Sequence, residues 1–228
     1  MRNLFVRTLE EEQMDDPALP PEEYQKVLAD LGRVNRWTFA ARPTLSFLAL
    51  ATRGAKAFSL LDVGFGDGGM LRAIAAWAAK RGLEARLTGV DLNPKSEAAA
   101  RAATPRGLAI DWRTGDYADL GRFDFVVSSL VAHHMSAERL IAFLRWMEAN
   151  AARGWLVNDL HRHLFAYGGY PLLARLLGVH RIVREDGQLS IARAFRPGEW
   201  QHILEEAGIA GARVVRRFPF RLCVERLR

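Results

Sequence analysis

Leu61-Asp62-Val63-Gly64-Phe65-Gly66-Asp67-Gly68-Gly69 closes one kind of pattern and opens another. Before it, Ala57 to Val63 is a short apolar run of strand length. After it, Gly69 to Arg81 is alanine-rich with helical spacing. Glycines at 64, 66 and 68 let backbone turn sharply and approach a ligand without a Cβ. Free N–H groups where the helix starts favour an anionic or electron-rich partner. Gly64, Gly66 and Gly69 also satisfy the dinucleotide fingerprint G-x-G-x-x-G, so two cofactor readings stand open at this turn.

The same alternation continues downstream. Ala85 to Val90 is apolar and ends in Asp91. Pro94 to Ala103 reads as helix, Leu108 to Trp112 as strand, and Phe123 to Leu130 as a buried strand. Ala137 to Ala151 is an amphipathic helix, and Trp155 to Val157 a fifth strand. Strands alternating with helices predict a parallel sheet covered on both faces. A helical, aromatic-rich insertion spans about residues 161–195, and a helix follows from Pro197 to Gly208. Ala212 to Phe218 and Phe220 to Leu227 then form an edge hairpin around Pro219. The predicted fold is α/β: a doubly wound, mostly parallel sheet of seven strands, with the last antiparallel. Residues 1–55 read as a helical extension in front of a domain over 56–228. Within it, residues 1 to about 20 look like a loose arm. A helix starts at Pro21, with Gly32 and Asn35 as stop signals, and a second starts near Pro43.

Composition narrows the function classes. Half of the 228 residues are hydrophobic and a quarter are charged, as in ordinary globular chains. The net charge is +6, yet no dense basic run with interleaved aromatics appears. The arginines near the end, Arg213 to Arg228, alternate with Val, Phe and Leu and read as strands with a polar face. Nucleic acid is therefore not the expected partner. A single cysteine, Cys223, excludes an intrachain disulfide and a thiolate cluster. No signal-peptide pattern or long apolar run is present, so the expected compartment is the cytoplasm.

The ordered set of the glycine turn, Gly89-Val90-Asp91, Thr114-Gly115-Asp116-Tyr117 and Phe123-Asp124-Phe125-Val126-Val127-Ser128 resembles class I S-adenosylmethionine-dependent methyltransferases, with a Rossmann-like sheet. The resemblance covers about residues 57–228. Phe65 departs from it, standing where smaller or polar residues are frequent. S-adenosylmethionine is the cofactor it implies. Gly64, Phe65, Gly66 and Gly68 would line the methionine part. Asp91 would accept from both ribose hydroxyls, with Leu92 against the adenine. Asp116 would take the adenine amino group and Tyr117 flank the ring. Ser129 or Leu130 would offer a carbonyl to the methionine ammonium, with Asp62 behind it. Arg36, on the helical extension, is a candidate partner for the cofactor carboxylate, or a solvated surface arginine.

Methyl transfer needs alignment, exclusion of water and, for an oxygen nucleophile, a base. His133 and His134 follow the fourth strand and His161 follows the fifth, so these three are the candidate bases; Asp159 is a candidate orienting carboxylate. In the family a His-His pair here also packs beneath the cofactor. No metal site is expected, since nothing fixes the geometry of Asp159, His161 and His163. Phe165, Tyr167, Tyr170, Leu172, Leu173, Leu176 and Leu177 would wall an apolar acceptor pocket. The run Asn158 to His163, with Arg193-Ala194-Phe195, is similar to bacterial small-molecule methyltransferases of quinone and polyketide pathways. The expected reaction is O-methylation of a small hydrophobic, phenolic acceptor. Alternatives are C-methylation of an aromatic or quinone ring, a nicotinamide-dependent reductase, or a non-catalytic cofactor-binding partner. The reductase reading lacks a Tyr-x-x-x-Lys motif.

Overall fold

The structure is a computed structural model that describes residues 3–228. Seven strands form one sheet: β1 (Ala57–Val63), β2 (Glu84–Asp91), β3 (Asp111–Thr114), β4 (Phe123–Ser129), β5 (Ala151–Leu160), β6 (Arg213–Arg217) and β7 (Arg221–Leu227). Their order is β3-β2-β1-β4-β5-β7-β6. The first five run parallel; β7 is antiparallel to both β5 and β6. Eight α-helices accompany them: α1 (Pro21–Trp37), α2 (Ala41–Ala51), α3 (Gly69–Ala79), α4 (Pro94–Ala103), α5 (Ala137–Asn150), α6 (Leu164–Leu176), α7 (Arg181–Arg193) and α8 (Pro197–Ala207).

Strand period two divides the core into two layers. Leu60, Phe58, Phe125, Val127 and Leu156 face α2, α3 and α4, against Phe47, Leu71, Ile74 and Trp77. Leu61, Val63, Val126, Trp155 and Val157 face α5 and α8, against Phe143, Leu144, Trp200 and Ile203. Cys223 is buried in the first layer. The sheet order reverses beside β1. The C-terminal ends of β1, β2 and β4 therefore border one crevice, where open α/β sheets bind ligands.

Four local expectations are corrected. The third strand begins at Asp111, because Gly107 at φ +90 turns the chain and Pro105–Leu108 folds as a turn. Strand β5 starts four residues before Trp155, at Ala151, because it pairs with β4 from Phe123 onward. Helix α1 runs through Gly32 and Asn35 to Trp37, its buried face continued by Val34. The segment 3–20 is not loose. Arg7 donates to the carbonyls of His133, Met135 and Arg193 and lies over the Phe195 ring at 4.2 Å. The Gln13 and Met14 amides donate to Asp186 on α7. Of the arm's acids, Glu12 accepts from Ser190 of the insertion and Asp15 pairs with His134.

The late arginines are spent on structure: Arg213 and Arg217 pair with Glu225, and Arg228 with Glu148. No helix of the described residues is long and apolar enough to cross a membrane.

Candidate active site

The glycine turn leaves β1 with Gly64, Gly66 and Gly68 all at positive φ (76°, 56° and 75°). Two of them are also sterically closed. A Cβ on Gly64 would meet Val131 Cγ2 at 2.4 Å, and one on Gly68 would meet Trp112 at 2.4 Å. Phe65 turns inward and packs on Trp112 with ring centroids 4.9 Å apart. Its side chain thus fills the core while its backbone borders the crevice, which is how a bulky residue is tolerated there.

A cavity of about 790 Å³ opens at this edge of the sheet. One side is lined by Asp91, Leu92, Asn93, Gly115 and Tyr117. Asp91 accepts from the amides of Gly66 and Asn93, both at 2.9 Å. Burial pushes its carboxyl above the usual range, against these bonds. Leu92 is 72% exposed at the mouth, an apolar surface with no protein partner to cover it. Tyr117 is propped by Phe143 and Trp146.

A second cavity shares Gly64, Phe65, Asp67, Ser129 and Leu130 with the first, and adds Asp62 and Arg36. Asp62 is 1% exposed, and neither of its carboxylate oxygens has a hydrogen-bond partner; Ser129 Oγ is likewise unpaired. An uncompensated buried carboxylate is costly. Burial, with Asp91 and Asp67 nearby, holds Asp62 well above the ordinary carboxylate range. The arrangement calls for a cation or donor from outside the chain, which an ammonium group would supply. The sign of the stability effect follows. The cost is absent below the ordinary carboxylate pKa and grows as pH rises through and above it. Asp62→Asn is therefore expected to raise the ligand-free melting temperature at pH 7 by at least about 2 °C, the shift that roughly 1 kcal/mol makes at this chain length. The gain should shrink at acid pH. A lower melting temperature at pH 7 would show that the carboxylate is satisfied.

The third region is beside the insertion. Leu160, Phe165, Ala166, Gly169, Tyr170 and Leu173 wall the first cavity opposite the glycine turn. Tyr170 is fixed by its hydroxyl donating to the Val183 carbonyl, and Gly187 leaves the room its ring needs. His133 is buried where this wall meets β4 and β5. Its Nδ1 lies 2.7 Å from Asp159 Oδ1, and its amide donates to Asp159 Oδ2. Burial raises Asp159, but the His133 contacts more than reverse that and hold it low. An anionic Asp159 accepts a hydrogen bond from Nδ1–H, which puts the ring's lone pair on Nε2. His134 repeats the arrangement with Asp15 at 2.8 Å.

Several residues singled out from sequence lie elsewhere. Asp116 is exposed, caps a short 3-10 turn through Ala118, and does not line the cavity. His161 is tied to Phe220 and bridges to Phe195 behind the wall; burial and neighbouring His163 push it down to about 4. Leu172 and Leu176 face solvent and do not line the cavity, to which α6 contributes Phe165, Ala166, Gly169, Tyr170 and Leu173, with Phe165 itself 73% exposed. Arg36 is exposed at the second cavity's rim. Glu12 and Asp15 were missed altogether. They sit on the arm, far from any motif, and only the tertiary path brings them to the histidines. Glu12 is buried, accepts from Ser190 Oγ at 2.9 Å, and is pushed up to about 7 by burial.

Residues 60–154 match the family described as "Methyltransferase domain". They hold the C-terminal end of β1, all of β2, β3 and β4, and the glycine turn, the frame of the crevice.

Over these residues the chain carries a methyltransferase domain.

No curated protein matches this chain by sequence. Solved structures similar to it include the plantazolicin methyltransferase BamL, crystallised with a desmethylPZN analogue and SAH (TM-score 0.64, 15% identity, 87% of this chain and 72% of that one). Magnesium protoporphyrin IX methyltransferase of Synechocystis PCC 6803 gives 0.57 at 20% identity, over 93% and 90%. Human N-acetylserotonin methyltransferase gives 0.64 at 15%, over 92% and 56%. At these identities the likeness speaks to the fold, the Rossmann-like sheet of the S-adenosylmethionine-dependent enzymes.

Proposed function

We propose that this methyltransferase transfers a methyl group from S-adenosylmethionine to the hydroxyl of a small, hydrophobic, phenolic acceptor. The observation that carries this reading is the His133–Asp159 pair, buried and opening onto an apolar cavity. Bound S-adenosylmethionine would supply an activated methyl on a positively charged sulfur. Asp91 would hold the ribose hydroxyls and Leu92 and Tyr117 the adenine. Asp62 and Ser129 fit the ammonium, and Arg36 at the rim fits the carboxylate. His133 Nε2 would take the acceptor's hydroxyl proton as the oxygen attacks, and Asp159 would stabilise the imidazolium that results. Phe165, Tyr170 and Leu173 would exclude water and set acceptor shape. The plantazolicin, protoporphyrin and N-acetylserotonin enzymes named above are all methyltransferases, which supports methyl transfer as the reaction. His161 has little to support it as the base, since it does not reach the cavity.

Calorimetric titration with S-adenosylmethionine, S-adenosylhomocysteine and NADPH tests the cofactor. Both adenosyl compounds should bind and NADPH should not. Asp91→Ala should weaken S-adenosylmethionine by about 1.5 kcal/mol or more, roughly tenfold, through loss of hydrogen bonds to a charged acceptor. Unchanged affinity would remove the assigned pose, and binding of NADPH alone would remove the reaction.

A further inference from the structure

We infer that Glu12, His133 and His134 form a binding site for a divalent transition-metal ion of the Zn²⁺ or Co²⁺ type. Their donor atoms converge: all three lie within 4.8 Å of one another. His133 Nε2 is 3.6 Å and His134 Nε2 3.9 Å from the same oxygen, Glu12 Oε1. These separations are too long for hydrogen bonds. They are close to what a metal imposes, since bonds of 2.0–2.1 Å set tetrahedral ligand atoms about 3.3 Å apart.

The surroundings are those of a ligand set. Each imidazole has its far nitrogen on its own carboxylate, His133 Nδ1 on Asp159 at 2.7 Å and His134 Nδ1 on Asp15 at 2.8 Å. A carboxylate behind the Nδ1–H fixes the ring and presents the Nε2 lone pair, which is the usual support of a metal-bound histidine. Two Nε2 lone pairs therefore converge on Glu12 Oε1, a donor set placed for one cation. Ser190 Oγ supplies one hydrogen bond to Glu12 Oε1. Arg193 Nε is 3.8 Å from that oxygen, but its donors go to the carbonyls of His133 and Glu10. Arg7, the other guanidinium at this corner, likewise donates to backbone carbonyls, those of Arg193, His133 and Met135, and to none of the three carboxylates Glu12, Asp15 and Asp159. Imidazole and carboxylate together suit Zn²⁺, Co²⁺ and Ni²⁺ rather than Mg²⁺ or Ca²⁺. The fourth position would open on the cavity, where Glu12, His133 and His134 all appear in the lining.

One consequence rests on the reading of His133 as the base. An ion on Nε2 and the acceptor's proton compete for one lone pair, so the ion should inhibit turnover, relieved by acceptor and not by S-adenosylmethionine.

The test uses full-length, untagged, ligand-free protein. Calorimetric titration with ZnCl₂ should give one saturable site, and CoCl₂ should produce visible absorption bands of a low-coordinate Co²⁺ centre. Glu12→Gln and His134→Ala should each weaken binding about tenfold or more, the size of effect that losing even a supporting carboxylate has. His163→Ala, outside the cluster, should not change it. Circular dichroism melts of each variant check that it is folded. Absence of saturable binding, or binding kept in both cluster variants, overturns the site. Binding through the cluster with turnover unaffected supports the site and instead removes His133 as the base.

Discussion

His133→Gln should lower turnover of a phenolic acceptor by about a hundredfold or more while S-adenosylmethionine affinity stays unchanged. The residue lines the acceptor side of the cavity, not the side bordered by Asp91 and Leu92. Removing it therefore takes away a proton acceptor and leaves the cofactor contacts alone. Asp159→Asn should reproduce much of the loss. An amide can present its NH₂ to Nδ1, which favours the tautomer with the proton on Nε2, the wrong one for a base. His161→Ala is the contrast: its ring lies behind the wall, so kcat should hold near the parent value. Full activity in His133→Gln would mean that catalysis is by positioning alone, or that the acceptor atom is carbon.

Gly64→Ala should cost both stability and cofactor binding. At φ +76 a Cβ carries roughly 1–2 kcal/mol of backbone strain. It would also stand 2.4 Å from Val131 Cγ2, an overpacking contact worth about 1–3 kcal/mol. Together, about 3 kcal/mol lowers the melting temperature by roughly 6–12 °C at this chain length. The two parts separate in a double variant. Val131→Ala removes the methyl that the new Cβ meets but leaves the φ strain, so Gly64→Ala/Val131→Ala should recover about half of the loss. No recovery would show that the turn is limited by its backbone alone; no loss in the single variant would show that the turn shifts freely.

The motifs around residues 61–69, 89–91 and 123–129 were legible because they are local. Strand period, glycine spacing and a terminal acid all lie within one stretch of chain, and the sheet follows from their order. The acceptor side was legible in residue type only. His133, His134 and Asp159 could be named, but 25 residues separate His133 from Asp159, and only the parallel pairing of β4 with β5 brings them to 2.7 Å. The acidic arm shows the opposite failure. Glu12 and Asp15 have the composition of a solvated run, and nothing in their neighbours in sequence distinguishes them from one. Asp116 matched its motif, and the structure gives one of its oxygens to a local turn instead of the cavity. Period alone also misplaced the inward face of α6, because the helix is apolar nearly all round and period then marks no single face.

The order of the sheet has a consequence for handling concentrated samples. A sheet ends in two rows of unpaired backbone groups, each a template on which another copy could add a strand. Here one rim is β3, only four residues long and carrying Asp111 and Arg113. The other is β6, five residues of which Arg213, Arg216 and Arg217 bear positive charge. A second molecule approaching either rim meets short ribbon, and at β6 several positive charges as well, so end-to-end stacking into fibrils is disfavoured by the layout of the strands itself.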